Sequence, residues 1–260
     1  MKAKFDNNIE LSTDLDKKVY KDVVSPSFKE TGDLVALAPR SLRALLLPLE
    51  NWITKREYNR KATQKILEDK LKNVPEDLLD EPELYVGVPA LEGLSYTIDN
   101  ETLREMYANL LASSMRKDKK ADVHPAYAQI IKEISPDEAR VLKDISVSSG
   151  VWHPLVWVRE YKSRISSKVL AQRYTNAFEY IRDPKRIASL IDNLERLKLV
   201  EVKENSAVSD ESSYEYIENS DYIKRLLSKN LEEGHFLKVE KGSMRLTNFA
   251  LGFINICIKE

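Results

Sequence analysis

Eight basic residues crowd the stretch from Arg159 to Arg186 against three acidic ones, with Tyr161, Tyr174 and Tyr180 interleaved. Within it, Asp183-Pro184 starts a helix on which Ile187, Leu190, Ile191 and Leu194 share one face. The opposite face carries Lys185, Ser189, Asp192 and Arg196, flanked by Asn193 and Arg186. Lys, Arg, Ser and Asn are the side chains that reach phosphates and base edges from a recognition helix. Arg182, Lys185, Arg186, Ser189, Asn193 and Arg196 are therefore the candidate residues for contacting DNA or a protein partner. Against DNA stand Asp192, Glu195 and the spacer from Glu201 to Asp221, with seven acidic residues and one Lys.

Other chemistry-bearing residues read as structural. His124, His153 and His235 lie far apart, and apart from Asp122 near His124 none has a partner at metal-ligand spacing. His124 is expected to cap or orient the helix that follows it. Nine carboxylates between Glu76 and Glu105 face a single basic residue, Arg104, and fall at solvent-type positions. Without burial to separate their pKa values they make a solvated acidic face rather than an acid–base pair. Cys257 sits among apolar neighbours and is expected in the core; one thiol cannot build a disulfide framework, which fits a reducing compartment. No catalytic, metal or cofactor-binding residue is assigned, and no small-molecule substrate is evident. Only 7 of 260 residues are Gly, and no GxGxxG, GxxxxGK[ST] or GxSxG occurs, so phosphate-cradling loops and nucleophile elbows lack their raw material.

These candidates sit on a chain that is 42% hydrophobic and 32% charged, a globular composition on the charge-rich side. Its net charge of −1 gives no overall pull toward nucleic acid. The N-terminus shows no signal peptide, and a cytoplasmic protein is expected. The most apolar region, 34–53, is broken by Pro39, Arg40, Arg43 and Pro48 and falls short of the roughly 20 apolar residues a spanning helix needs. It reads as two core helices, with a membrane-active amphipathic hairpin as the alternative.

The periodicity predicts a short helix after Thr13, a charged helix from Trp52 ending at Asn73-Val74-Pro75, and another starting at Val88-Pro89. A third, capped by Asp99 or Asn100, places Leu103, Met106, Tyr107, Leu110 and Leu111 inward. His124-Pro125 opens the next. Ser135-Pro136-Asp137-Glu138 is a capping box with Pro in the first turn. Val151 to Val158 reads as a strand, followed by a helical segment, the capped helix from Pro184, and a strand at Leu199 to Val202. Phe236 to Val239 and Met244 to Leu246 then flank a turn at Lys241-Gly242, and Thr247 or Asn248 caps a last helix. From Ser135 this is the order of a winged helix-turn-helix, with 204–234 inserted at the wing tip and helical around Tyr222 to Leu231.

The stretches VPALEGLSYTIDNETLREMYANLLASSM (Val88 to Met115) and VHPAYAQIIKEISPDEARVLKDI (Val123 to Ile145) resemble the Abi-alpha family. So do LLPLENWITKREYN (Leu46 to Asn59), KILEDKLKNVPED (Lys65 to Asp77), IDNLERLKLVEV (Ile191 to Val202) and RLTNFALGFI (Arg245 to Ile254). The resemblance implies a bacterial cytosolic protein associated with abortive infection, that is, defence against phage. It carries over no catalytic residue.

The sequence thus points to a mostly α fold: a helical arm at 1–33, a helical domain at 34–133, and a winged-helix-like α+β domain with a small antiparallel sheet at 134–260. The expected function is non-enzymatic, through a protein partner or self-association. A DNA-binding regulator is the alternative and a membrane-acting effector the third.

Overall fold

The computed structural model describes residues 57–97, 100–148, 150–163, 165–178 and 180–259. The helix expected after Thr13, the 1–33 arm and the 34–53 segment lie outside the described residues. Nine helices and one four-stranded antiparallel sheet are described. The fold is α+β, which corrects the mostly α expectation, although the small antiparallel sheet stands.

Helix α1 (Glu57–Leu71) stops ahead of Pro75, whose missing N–H and steric demand on Val74 end helices. Helix α2 (Leu84–Tyr96) begins four residues before the expected Val88-Pro89 start and contains Pro89. Pro89 deprives only the Tyr85 carbonyl of its intrahelical donor, and Tyr85 is exposed to water. Helix α3 (Glu101–Ser114) starts where Asn100 Oδ1 accepts the Leu103 amide at 3.0 Å, satisfying an orphan donor. Its Met106, Tyr107, Leu110 and Leu111 are buried. It packs against α1, α2, α4 (Ala126–Glu133), α5 (Pro136–Ser146) and the last helix, Asn248–Cys257, and is the hub of the helical layer. Cys257 is fully buried and burial pushes its thiol well up. His124 does orient α4: its Nδ1 accepts the Ala126 amide at 3.1 Å, with its ring edge-on to Phe249.

The capping box at Ser135 is formed in full. The Glu138 amide donates to Ser135 Oγ at 3.3 Å, and the Ser135 amide donates to Glu138 Oε2 at 2.5 Å. Beyond α5 the chain enters β1 (His153–Ser163), turns, and returns as β2 (Ser166–Tyr174). The helical segment expected before Asp183 is therefore a strand. Strand β2 draws its order from pairing with β1, a tertiary term that overrides a weak local pattern. Among the described residues no helix stands between β1 and the helix from Pro184, where a helix-turn-helix would place one.

Helix α6 (Pro184–Arg196) is capped by Asp183 and buries Ile187, Leu190, Ile191 and Leu194, each contributing about 1.5–3 kcal/mol as an upper bound. It packs on β2, α5 and β3 (Val200–Lys203). It ends with the Leu199 amide on the Leu194 carbonyl (2.9 Å) and the Lys198 amide on the Glu195 carbonyl (2.9 Å). That is a Schellman motif with Lys198 in the left-handed region at φ 60°. The inserted segment folds as α7 (Ser212–Glu218) and α8 (Asp221–Leu227). Tyr214 of α7, fully buried, donates to the Gly242 carbonyl at 2.7 Å and accepts the Val208 amide at 2.9 Å.

Strand β4 (Phe236–Leu246) runs without a break and leads into α9 (Asn248–Cys257), capped by Thr247. The strand order is β2-β1-β4-β3. The turn expected at Lys241-Gly242 does not exist: Gly242 lies mid-strand opposite Leu155. Glycine is required there by close approach, since a Cβ would overlap the Trp157 ring and lie 2.5 Å from the Lys203 carbonyl. Among the described residues no helix is long and apolar enough to cross a membrane.

Two substitutions test this packing by thermal or denaturant unfolding. Gly242→Ala should destabilise by about 1–3 kcal/mol through overpacking against Trp157 and Lys203. Lys198→Gly should stabilise by about 0.5–1 kcal/mol by relieving the left-handed backbone at the end of α6.

Candidate partner-binding surface

The six residues picked out on and before α6 divide into two groups. Arg186 pairs with Asp137 and Arg196 Nη2 with Glu133 Oε2 at 2.6 Å. The half-buried Asn193 donates through Nδ2 to the Glu133 carbonyl (3.0 Å) and to Glu138 Oε1 (2.7 Å), and accepts Arg196 Nε on Oδ1 (3.0 Å). Arg186, Asn193 and Arg196 thus bind the corner between α4 and α5. Arg182, Lys185 and Ser189 are exposed and make no ion pair among the described residues. Lys185 stands at the mouth of a groove between α6, β2 and Tyr222 of α8.

At the far end of the sheet a different surface is exposed. Tyr161 of β1 and Phe236 of β4 are paired in register and stacked, centroids 5.3 Å apart and planes 11° from parallel. Phe236 is half exposed. The next row across the same face is Val169, Arg159 and Lys238. Ile165, in the turn between β1 and β2, is 99% exposed.

A buried carboxylate organises this face. Glu240, opposite Trp157, accepts Tyr161 Oη at 2.6 Å, Arg159 Nε at 2.8 Å and Lys238 Nζ at 3.4 Å. Burial acts to raise its carboxyl, but the donors from Tyr161, Arg159 and Lys238 outweigh it and hold it below the ordinary range. Glu240 is therefore ionised at neutral pH and Tyr161 is fixed as a donor. Arg159 is also paired with Glu204. The surface is thus aromatic and aliphatic with its charges internally matched. Its anchors escaped sequence reasoning because Tyr161 and Phe236 are 75 positions apart and meet only through β1–β4 pairing.

The other titratable candidates have ordinary roles. His153 Nε2 lies 3.2 Å from Ser148 Oγ, and burial lowers its pKa. His235 Nδ1 lies 2.8 Å from Glu160 Oε1. The acidic stretch is partly spanned by cations, with Lys120 on Asp80 and Glu83 (3.0 and 3.1 Å) and Lys70 on Glu105 (2.9 Å). Among the described residues no group of three or more His, Cys, Asp or Glu side chains is placed to hold a metal ion.

Asn193→Ala should cost about 1–3 kcal/mol, because it strips two acceptors at the α4–α5 corner of their donor; denaturant unfolding reads it. Acid should weaken the same corner. Hydrogen bonds from Gln129 and then Arg196 hold Glu133 below the ordinary range. Its contribution is complete above about pH 4.3 and is lost as pH falls through the lowered folded value. A Glu133→Gln variant should show a flatter loss of stability across that acid window.

The family profile for abortive infection alpha matches residues 55–257. No curated protein matches the chain. A solved structure of an uncharacterized protein from the hydrocarbon-degrading marine bacterium Alcanivorax borkumensis SK2 is 20% identical, aligned over 54% of this chain and 94% of its own. Its TM-score of 0.32 makes that likeness too weak to bear on the fold. With the family match running from α1 through α9, the chain belongs to the abortive infection alpha family.

Proposed function

We propose that the protein serves phage defence by abortive infection without turning over a substrate, through contact with a protein partner at the far end of its sheet. The observation that carries this reading is half-exposed Phe236 stacked on Tyr161, at the end of the sheet where Ile165 in the β1–β2 turn is fully exposed. Apolar side chains exposed together in one place, rather than scattered singly, mark interaction surfaces. Aromatic anchors close to an Arg are the composition of interface hot spots. The internal neutralisation of Arg159 and Lys238 by Glu240 and Glu204 favours a protein surface over a polyanion.

The DNA-binding alternative through α6 rests on Arg182, Lys185 and Ser189, because Arg186, Asn193 and Arg196 are engaged with the α4–α5 corner. Few cations facing solvent make for weak phosphate contact and a shallow salt dependence. The membrane-acting alternative invokes 34–53, outside the described residues.

The test is a double substitution, Ile165→Asp with Phe236→Ala, in the full chain. It should leave the unfolding midpoint within a few degrees, since both side chains face solvent, and reduce protection in a plaque assay by at least about tenfold, the loss of one hot spot. Full protection with the double substitution, or turnover of nucleotide, nucleic acid or peptide abolished by a single side-chain change, refutes the reading.

A further inference from the structure

Helix α2 is apolar on both of its faces. The inward face, with Val86, Ala90, Leu91 and Leu94, is buried, and the helix packs on α3 and α4. The outward face is Leu84, Tyr85, Val88, Pro89 and Glu92, all exposed and spaced to lie along one side of the helix. Leu84 is 71% exposed and Tyr85 60%. Glu92 is the only charged residue in the helix. A surface helix turns charged and polar side chains to water, and a helix apolar all round is one that something covers. Here the apolar side chains form one stripe rather than standing singly, which marks an interaction surface.

Charge says what the cover is. From Asn73 to Leu103 the chain has eight carboxylates and no Lys, Arg or His. Cations reach this stretch from the loop after α3: Lys120 Nζ lies 3.0 Å from Asp80 and 3.1 Å from Glu83, and Lys117 Nζ donates to the Asp77 carbonyl at 2.7 Å. Exposed Glu81 makes no ion pair among the described residues. Carboxylates therefore stand at both ends of the stripe, Glu81 and Glu83 before it and Glu92 after it. Helices that lie on membranes carry Lys and Arg around their apolar face, and an acidic flank is repelled by an anionic leaflet. Two copies meeting through this stripe would present the same patch to each other, setting these carboxylates against their own kind. A partner with cations beside its apolar side chains meets neither obstacle. Leu84–Val88–Glu92 and Tyr85–Pro89 are rows at four-residue spacing, the ridges that seat in the grooves of another helix.

We infer that the outward face of α2 docks a basic amphipathic helix of a partner protein. The apolar side of that helix covers Leu84, Tyr85 and Val88, and its Lys or Arg residues meet the carboxylates at the ends of the stripe. The surface is independent of the sheet end proposed above.

Fluorescence anisotropy with the full chain tests it. The probe is a labelled peptide of Leu and Lys, about 14 residues or four helical turns long, patterned to give one apolar face. One control keeps the Leu positions and replaces Lys by Glu; another keeps the composition but scatters the Leu so that no apolar face forms. The Leu/Lys peptide should bind at least about tenfold more tightly than either control. Leu84→Asp combined with Tyr85→Asp should weaken it at least about tenfold, the scale of a hot spot. The unfolding midpoint should stay within a few degrees, since both side chains face water and Asp suits the first turn of a helix. Glu81→Lys, which changes charge alone, should weaken it about threefold. No binding of the Leu/Lys peptide, equal binding of the Leu/Glu control, or affinity untouched by the double substitution would each overturn the inference. So would a dimer in sedimentation velocity that the double substitution abolishes, which would give this face to a second copy. Binding to vesicles of phosphatidylcholine and phosphatidylglycerol that it abolishes would overturn it too, giving the face to a lipid surface.

Discussion

The Glu138 carboxylate is 4% exposed, and the junction between the helical layer and the sheet depends on its being fully served. One oxygen accepts the Ser135 amide and closes the capping box; the other accepts Asn193 Nδ2 from α6. A buried carboxylate with these donors stabilises, and without them it would destabilise. The same side chain therefore starts α5 and fixes α6 against the α4–α5 corner. Arg186 and Arg196 close the contact on either side through Asp137 and Glu133. Since α6 also packs on β2 and β3, this polar clamp sets where the sheet lies relative to the helices.

Within the sheet the corresponding constraint is close packing at Gly242, where Trp157 and the Lys203 carbonyl approach β4 and Tyr214 hydrogen-bonds its carbonyl. That fastens α7 and one end of the sheet. At the other end Glu240 arranges Tyr161, Arg159 and Lys238 beside half-exposed Phe236. One end is packed by structure and the other offers aromatic area with its charges already matched. This division makes a partner surface the natural reading of the exposed end.

The legible features in the sequence were local ones. The caps at Asn100, Ser135, Asp183 and Thr247 need only a side chain within three residues of the amide it serves, so residue order reveals them. Helix α6 was legible because its apolar stripe is regular. Strand β2 was not: SSKVLAQRY has no clean alternation, and it pairs with β1 through register shifts. Lys241-Gly242 read as a turn because glycine marks turns and close approaches alike, and only the fold brings Trp157 to it. The candidate residues on α6 were found as a polar face, but their function was hidden. The carboxylates that engage Arg186, Asn193 and Arg196 lie on another pair of helices, 49 to 63 positions away by chain number. Tyr161 and Phe236 escaped for the same reason.

Site-specific photo-cross-linking in infected cells reads the occupied face directly, with the cross-linking residue placed at position 236 in one culture and at 189 in another. Contact through the far end of the sheet predicts a discrete protein adduct at 236 that Ile165→Asp abolishes, and none at 189. Nucleic-acid adducts at 189, with nothing captured at 236, would contradict it.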